Sequence, residues 1–567
     1  MGRRCARLLV AALLGLLVVD AATLPASLYA QQPEEGVEPD EVEDVAPCCR
    51  ARAQVPLAER HAARQVDIPW EGTGVDPVTW ERLKAEAKMD PQAPLAHELS
   101  DVDSARAPGI EQSFAGIIQG EIGLTTSPPD TTLAVGPDNV IEAVNLAVRL
   151  MDRQGNSLAE HSLHAHFGFV ASGASSDPVI TDPKLYYDAM SDRFFLLMLA
   201  IDFNLNTFAR AHLSISRSGS PAGLGEADWC NYEISTKKGD TWGDYPGLGM
   251  NERWLAFSTN NFAFSGFSLQ SRLYVADKAS LVDNANRCPS AKFFKFDLGL
   301  NNTADFNPQP VQHYEETGLP GNPLFAVSSD VLGGTTYTLF RIAGKKNSRG
   351  SKPRLTRETL VAGDIYTIPP TATQKGGSKE VDTGDARVMQ QAVYRHGRLW
   401  FTHATGCRVR GSATNQSCVR VVRVNVGEKD AVIDFEQTLG KKREHYWWPG
   451  VVVTPGGAVV VAFQRSGDTK LLGVSYSGIS DGTAVRVGLR KGFDKVRSAV
   501  SGECTLQTEQ FVVLANGEAG VRVRSGDYVG LAPDPVTEDV WMAGEHGKLV
   551  FGGFSCIWGT MVTRVRY

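Results

Sequence analysis

The sequence predicts an all-β protein, a seven-bladed β-propeller with an N-terminal signal peptide and a mostly irregular N-terminal strap. Three observations predict this fold. From about Gln112 onward helical periodicity is nearly absent, and short alternating or apolar runs are separated by Gly, Pro, Asn and Asp. A unit that opens with Asp or Pro and continues as two short strands recurs seven times. A closed ring of small sheets also removes the long edges that one sheet of so many strands would expose.

The repeated units lie in the region 111–567, which we interpret as the propeller. Their spacings of about fifty to eighty residues are long for one four-stranded blade but fit blades that carry loops. Two β-sandwiches in series are the alternative, since they also give short strands at regular spacing. The seven units begin near Asp130, Asp182, Asp244, Phe325, Val388, Pro449 and Asp527.

Residues 1–30 predict a signal peptide. Three arginines precede the apolar run Leu8–Val19, and the small residues of Ala26–Ala30 supply a cleavage region. The apolar run is shorter than the ~20 residues that a membrane span needs, and a retained N-terminal anchor is the alternative. We therefore expect a secreted or periplasmic protein.

Residues 31–110 differ from the rest of the chain. The stretch PEEGVEPDEVEDVAP is acidic and contains proline, which disfavours a packed core. One short helix is predicted from Asp76 to Met89, because Asp76 can cap it and Pro77 suits its first position. This region is interpreted as a linker or a strap that lies on the main domain.

The charge and hydropathy of the chain exclude some partners. The net charge is −7, and we find no basic patch with interleaved aromatic residues, so a nucleic-acid partner is not expected. No stretch after the signal peptide is long and apolar enough to cross a bilayer, so no transmembrane segment is expected in the mature chain. The expected partner is a glycan or an extracellular protein.

Eight cysteines remain after the predicted signal peptide, and an even count in an exported protein indicates disulfide bonds. Cys48 and Cys49 are adjacent and could form a vicinal pair. Spacing of the CxxC type with nearby histidines, which a zinc site needs, is absent. The other six are predicted to pair within or between adjacent repeats: Cys407 with Cys418, Cys230 with Cys288, and Cys504 with Cys556.

The chain resembles a group of exported bacterial β-propeller proteins that are distantly similar to the sialidase-like propellers. The resemblance runs from about Ser113 to Tyr567. It implies the fold but little about function, because most such proteins have no assigned activity. The segments that carry it are TSPPDTTLAVGPDNVIEAVN, TDPKLYYDAMSDRFFLLML, WGDYPGLGMNERWLAFSTNNF with RLYVADKASL, and RSGDYVGLAPDPVTEDVWMAGEH with WGTMVTRV.

The first strand of each propeller blade lines the central channel, so the residues that open the repeats should converge at one mouth of the ring. Carboxylates brought together there must share protons, pair with cations or bind a metal, and Ca²⁺ is the natural candidate. The alternative is that each Asp caps its own blade through backbone N–H groups. The candidate ligands are Asp130, Asp182, Asp244 and Asp527.

Aromatic residues are predicted at the same mouth. The segment HYWW, residues 445–448, lies just before a repeat, and flat aromatic faces with polar tips suit stacking against sugar rings. The alternative is that these rings pack between blades as core. The predicted ligand-binding residues are Tyr245, Trp447, Trp448 and Tyr528.

Catalytic candidates can be named, although no pattern selects a reaction. His445 and Tyr446 could act as base and partner in a polysaccharide lyase, and Asp244 and Asp527 could act as acid and base in a glycosidase. The segment HSLHAH would place His164 and His166 on one face of a strand, as in a zinc site, or form an exposed turn. No G-x-S-x-G or Gly-rich phosphate loop is present.

The sequence therefore predicts a secreted propeller that binds a glycan or protein ligand at one mouth of its ring. Two alternatives stay open. One is an extracellular polysaccharide-degrading enzyme, a glycoside hydrolase or lyase, with its site at the axis. The other is a structural or surface-interaction module without a small-molecule site. Whether the protein is an enzyme is not decided by the sequence.

Overall fold

The computed structural model describes most of the chain beyond the predicted signal peptide. Residues 1–30 and Cys49 lie outside the described residues, so the signal peptide and the vicinal cysteine pair stay predictions. The described residues are 36–48, 75–100, 108–121, 127–168, 178–203, 206–264, 266–282, 288–298, 305–344, 352–480, 482–484, 492–507, 509–513, 516, 519–553 and 555–567.

Among its described residues, the N-terminal part contributes one helix and four strands. The helix predicted from Asp76 to Met89 is present as α1, and Asp76 caps it by accepting a hydrogen bond from the backbone N–H of Thr79. None of the helices in the described ranges is long and apolar enough to span a membrane. The elements are β1 (Glu41–Val45), β2 (Pro47–Cys48), α1 (Pro77–Ala87), β3 (His97–Glu98) and β4 (Gly109–Ile118).

The next three groups of strands are antiparallel sheets, each with its strands in sequence order. Sheet 1 is β5 (Thr132–Val135), β6 (Asn139–Val144), β7 (Ala147–Asp152) and β8 (Ser157–Ser162), followed by the one-turn helix α2 (Leu163–His166). Sheet 2 is β9 (Val179–Asp188), β10 (Arg193–Ile201), β11 (Ala209–Ser216) and β12 (Trp229–Ser235). Sheet 3 is β13 (Thr241–Met250), β14 (Trp254–Ala263), β15 (Gly266–Asp277) and β16 (Ala291–Leu298), with a 3₁₀ turn at Lys278–Ser280.

The remaining strands follow the same plan. Sheet 4 is β17 (Gln309–His313), β18 (Leu324–Ser329), β19 (Gly333–Ala343) and β20 (Arg354–Thr367). Sheet 5 is β21 (Ala392–Arg395), β22 (Arg398–Cys407), β23 (Gln416–Val426) and β24 (Ala431–Gly440). Sheet 6 is β25 (Glu444–Val453), β26 (Val459–Gly467), β27 (Lys470–Ile479) and β28 (Arg497–Ser501). The hairpin β29 (Glu509–Val513) and β30 (Ala519–Val523) then precedes sheet 7, which is β31 (Gly530–Pro533), β32 (Val540–Val550) and β33 (Ser555–Arg566), with a 3₁₀ turn at Phe551–Gly553.

The N-terminal strands complete sheets that are formed later in the chain. β4 pairs with β33 and gives sheet 7 its fourth strand. The other three extend outer edges: β2 pairs with β12, β1 with β16, and β3 with β24. The N-terminal segment is therefore held against sheets 2, 3, 5 and 7 by backbone hydrogen bonds.

The seven sheets contact one another in cyclic order through their first strands, and sheet 7 contacts sheet 1 through β31 and β5. β17 also pairs in parallel with β13 and with β21. A separate cluster of buried apolar side chains fills each interface between successive sheets, including the one between sheets 7 and 1. Burial of this apolar surface is the main favourable contribution to the stability of the arrangement.

The three predicted disulfides Cys230–Cys288, Cys407–Cys418 and Cys504–Cys556 are confirmed. One predicted repeat was placed wrongly. Phe325 lies in β18, the second strand of sheet 4, whereas the first strand of that sheet is β17. The residues that precede β17, Asn307 and Pro308, were not recognised as the start of a repeat.

Candidate functional site

We call the first strand of each sheet its inner strand, and the residue that marks the repeat, within that strand or just before it, its opener; five openers have a left-handed backbone conformation. A positive φ is uncommon for residues other than glycine and marks a position that the surrounding structure constrains. Three of these positions, Asp182, Tyr245 and Trp448, precede a proline where the strand register shifts at a β-bulge. The φ values are 47° at Asp130, 57° at Asp182, 48° at Tyr245, 58° at Asn307 and 48° at Trp448.

On one side of the molecule, the carboxylates of Asp130 and Asp182, with the amide of Asn145 between them, link sheets 7, 1, 2 and 3. The backbone N–H of Asp527 donates to Asp130 Oδ1 over 2.7 Å, and the side-chain amide of Asn145 donates to Asp130 Oδ2. The backbone N–H of Asp182 donates to Asn145 Oδ1 over 2.9 Å. The backbone N–H of Tyr245 donates to Asp182 Oδ2 over 3.1 Å. We call these sheets and contacts the carboxylate side.

On the other side, amide side chains make the corresponding links between sheets 3, 4, 5, 6 and 7. Asn260 Nδ2 donates to Asn307 Oδ1 over 3.1 Å, and Asn307 Nδ2 donates to the carbonyl oxygen of Val388 over 2.7 Å. Gln390 Nε2 donates to the carbonyl oxygen of Trp448 over 2.7 Å. Gln464 Nε2 donates to that of Gly526 over 2.6 Å. We call this the amide side, and together the two sides connect all seven sheets in a closed circuit.

The circuit corrects the interpretation that each Asp caps its own blade. Asp130 in sheet 1 accepts from the opener of sheet 7, and Asp182 in sheet 2 accepts from the opener of sheet 3. These are contacts between sheets, at residues that are 2 % and 6 % exposed. A buried carboxylate that accepts N–H donors is stabilised in its charged form. Both residues therefore act as connectors between neighbouring sheets.

The predicted calcium ligands do not assemble into a recognisable ion site. Among the residues that the structure describes, no group of three or more His, Cys, Asp or Glu side chains is placed to hold a metal ion. Asp130 and Asp182 each use both carboxylate oxygens on N–H or O–H donors. Arg524 donates to Asp527 Oδ2 over 2.8 Å. Asp244 is buried in β13, opposite Asn260 of β14.

The four predicted ligand-binding aromatics are brought together. Tyr245, Trp447, Trp448 and Tyr528 belong to one buried cluster, and the ring centroids of Tyr245 and Tyr528 are 5.2 Å apart. Trp447 donates its indole N–H to Ser525 Oγ over 3.1 Å. The other three polar atoms, Tyr245 Oη, Tyr528 Oη and Trp448 Nε1, are buried and have no hydrogen-bond partner within the described ranges. Unpaired buried polar atoms are uncommon in folded proteins because each one costs free energy.

Lys184 lies against this cluster and was not singled out in the sequence. Its ammonium nitrogen lies 3.0 Å from the centre of the Tyr528 ring and 5.4 Å from that of Tyr245. Its side chain makes no hydrogen bond or ion pair with any described residue. Burial lowers the pKa of Lys184 to about 7, although Asp182, Asp130 and Asp527 attract the charged form. On the amide side, Arg387 contacts the Tyr245 ring at 5.3 Å.

Two buried glutamates near the openers were also missed. Burial raises the pKa of Glu545 to about 8 and the pKa of Glu142 to about 7. Glu545 Oε2 accepts the backbone N–H of Gly526 over 2.6 Å, and Glu142 Oε2 accepts that of Ile117 over 3.0 Å. Glutamates in ordinary strand positions carry no sequence signal for burial, so only the fold reveals them.

The structure does not bring His445 and Tyr446 together as a catalytic pair. Tyr446 belongs to the core between sheets 5 and 6, where its Oη donates to Glu444 Oε2 over 3.0 Å. His445 Nδ1 accepts the backbone N–H of Ser417 over 3.2 Å. Burial lowers the pKa of His445 to about 4. Adjacent strand residues face opposite sides of a sheet, which explains the separation.

The histidines of HSLHAH are arranged differently from the prediction. His164 and His166 lie in the helical turn α2, so they do not share one face of a strand. His166 is fully buried, with Nε2 2.9 Å from Ser214 Oγ and Nδ1 3.1 Å from the carbonyl oxygen of Leu224. Burial lowers the pKa of His166 to about 3. His166 is therefore a buried structural residue rather than a member of an exposed turn cluster.

The helix α1 lies over the segment that leads into sheet 5. The buried ammonium of Lys84 donates to the carbonyl oxygens of Pro369 and Gly384 over 2.6 and 2.7 Å, and to Thr383 Oγ1 over 2.7 Å. Gly384 in turn packs against the Trp448 ring so closely that an added Cβ would lie 2.3 Å from it. The N-terminal helix is thus connected through one loop to the aromatic cluster.

Comparison with known proteins gives no family for this chain. No family model matches the sequence, and no curated protein matches it. An exo-β-1,3-galactanase structure from Clostridium thermocellum is 11 % identical, covers 80 % of this chain and 99 % of its own, and has a TM-score of 0.24. A Penicillium chrysogenum α-L-arabinanase is 11 % identical over 56 % of this chain and 92 % of its own, with a TM-score of 0.25. Structural similarities with TM-scores this low carry no argument about the chemistry of this protein.

Proposed function

We propose that the chain is an exported seven-bladed β-propeller in which sheets 1 to 7 are the blades. The cyclic contacts between sheets and the apolar cluster at each interface support this arrangement. So does the pairing of β4 with β33, which completes the last blade with an early strand and closes the ring. Three disulfides support export, since such bonds persist mainly in oxidising compartments.

We propose that this propeller is a binding protein and that its ligand is a glycan. The glycan is held at the opener end, by which we mean the end of the sheets where the openers lie. One observation carries the proposal: Tyr245 Oη, Tyr528 Oη and Trp448 Nε1 lie unpaired in one aromatic cluster. Sugar hydroxyls are donors and acceptors that would satisfy these atoms, and a sugar ring presents C–H groups to aromatic faces. The proposal requires the cluster to open, because these side chains are at most 4 % exposed.

A polysaccharide-degrading enzyme is the second candidate, and the buried Glu545 favours it. A glycosidase needs one carboxyl group that stays protonated near neutral pH and one that is ionised. Burial raises the pKa of Glu545, and the charge of Asp130 raises it further. The weakness of this candidate is that Asp130 uses both oxygens on N–H donors, which leaves it a poor nucleophile or base.

A screen of the purified mature protein against a polysaccharide panel tests these proposals. Binding and the release of reducing ends or unsaturated products are measured on the same polysaccharides, with and without a chelator. Binding without turnover that is insensitive to chelator supports the binding protein. Turnover of a polysaccharide would instead support the enzyme. Loss of that activity with the chelator would indicate a metal site after all. No binding to any glycan would favour the structural module.

A further inference from the structure

The protein buries several lysine side chains, and one of them differs from the others. Lys84 donates to three oxygens, Lys278 pairs with Asp188 over 2.6 Å, and Lys295 pairs with Glu41 and Glu43 over 3.0 and 2.9 Å. A buried ammonium without such partners is costly, because nothing replaces the lost hydration. Lys184, which is 5 % exposed, has no hydrogen bond or ion pair with the described part of the chain.

The surroundings of Lys184 favour a reactive amine over a structural cation. Its nitrogen lies over the face of Tyr528, so its contact is with an aromatic ring. The nearby carboxylates of Asp130 and Asp182 are already committed to donors on the carboxylate side. Burial lowers the pKa of this lysine, so a large fraction of it is the neutral, nucleophilic form at neutral pH.

We propose that Lys184 is a nucleophilic amine that captures a small aldehyde or ketone as an imine at the opener end of the sheets. The neutral amine attacks the carbonyl carbon, a C–N bond forms, and the oxygen takes up a proton. The carbinolamine then loses water, and the second N–H proton of Lys184 leaves with it. The sum is one carbonyl compound and one amine converted to one imine and one water, so no oxidant, reductant or cofactor is needed.

The two unpaired phenols next to Lys184 suit this chemistry. Burial keeps the pKa values of Tyr245 and Tyr528 well above the usual range, so both hydroxyls keep their protons. Neither Oη has a hydrogen-bond partner in the described residues. Each can donate to the oxygen that leaves as water, a role in which a positioned acid accelerates the step. This inference does not depend on glycan binding, because it needs only a carbonyl group that reaches Lys184.

Reductive trapping tests the proposal on the purified full-length mature protein. Glycolaldehyde and cyanoborohydride are added at pH 7 in limiting amounts, and the modified lysines are mapped and quantified by peptide mass spectrometry. We expect Lys184 to be labelled at least tenfold faster than the exposed Lys292. Its labelling rate should exceed those of the buried Lys84 and Lys278 by a larger factor. The expectation follows because an ordinary lysine, with a pKa of about 10.4, is almost entirely protonated at pH 7.

Two further measurements distinguish fast labelling caused by a reactive amine from fast labelling caused only by the accessibility of Lys184. The double variant Y245F/Y528F keeps Lys184 and the ring faces but removes both hydroxyls, and we expect it to be labelled severalfold more slowly at Lys184 alone. K184M should lose the fast label without changing the labelling of other sites. Labelling of Lys184 no faster than Lys292, or no slowing in the double variant, would overturn the proposal. Glycan binding by a protein with an unreactive Lys184 would overturn this inference and leave the proposed function standing.

Discussion

The carboxylate side and the amide side of the protein solve the same structural problem with different chemistry. On both, a side chain near one opener accepts from or donates to the backbone of the next sheet. The linking side chains of the amide side are neutral, whereas the carboxylate side uses the buried carboxylates of Asp130 and Asp182. Lys184 lies near those charges, and so does Glu545, whose pKa burial raises to about 8. The difference shows that the linking role needs only a hydrogen-bonding side chain and does not require that side chain to be charged.

The largest expected effect comes from removing one link on each side. Asp130→Ala should destabilise the protein by about 4 kcal/mol, because two N–H donors lose a charged acceptor and Ala is strained at positive φ. Asn307→Ala introduces the same backbone strain, because Asn307 also has a positive φ, and should cost about 3 kcal/mol, because the two hydrogen bonds that it breaks are neutral. Denaturant unfolding measures both values.

Asp130→Asn is the control for the first comparison. Asn tolerates the left-handed conformation and keeps an acceptor for the N–H of Asp527, so the loss should be smaller than for Ala. Equal losses for Asp130→Ala and Asn307→Ala would contradict the view that the carboxylate links are the stronger ones.

The second comparison sets a paired lysine against the unpaired one. Lys278→Met leaves the buried carboxylate of Asp188 without its ion-pair partner and should cost about 3 kcal/mol. Lys184→Met breaks no hydrogen bond or ion pair with a described residue, and we expect a loss smaller by about 2 kcal/mol. Thermal and denaturant unfolding of the two variants give the comparison. A larger loss for Lys184→Met would mean that Lys184 is a structural counter-ion of the carboxylate side.

The carboxylate side should also make stability depend on pH. Glu545 has a pKa of about 8 in the folded protein and an ordinary value near 4.5 when unfolded. Its contribution to stability is therefore fully present below pH 4.5 and is lost as pH rises toward 8. The slope approaches about 1.4 kcal/mol per pH unit for one proton.

Glu545→Gln should flatten that decline between pH 5 and 7, as measured by unfolding at several pH values. Glu503→Gln is the matched control. Because Lys548 lowers the pKa of Glu503, the contribution of Glu503 to stability changes with pH in the opposite direction. An unchanged pH profile in Glu545→Gln would show that Glu545 is already ionised in the folded protein.

Much of the architecture follows from the sequence because the repeated turn residues are local signals. Asp182–Pro183, Tyr245–Pro246 and Trp448–Pro449 mark bulged inner strands, and all three were recognised as starts of repeats. Asn307–Pro308 has the same form but was missed. The alternative start at Phe325 had the stronger apolar pattern.

The site was only partly predictable, for a physical reason. The convergence of Tyr245, Trp448 and Tyr528 follows from the repeat, since inner strands of neighbouring sheets lie side by side. Which side chains stay unpaired depends on contacts between distant sheets, and the sequence gives no register for those. Lys184 therefore looked like an ordinary strand residue. The parity of adjacent strand residues could have excluded a His445–Tyr446 pair in advance.

The central claim is that the unpaired hydroxyls at the opener end bind the ligand, and calorimetric titration tests it most directly. The tightest glycan from the panel is titrated into the wild type, Y245F/Y528F and Y446F. We expect the double variant to lose about tenfold to a hundredfold in affinity with little change in stability, since two ligand hydrogen bonds of about 1 kcal/mol each are removed. Y446F should lose stability and keep its affinity, because Tyr446 bonds Glu444 within the core. Undiminished affinity in the double variant would contradict the account.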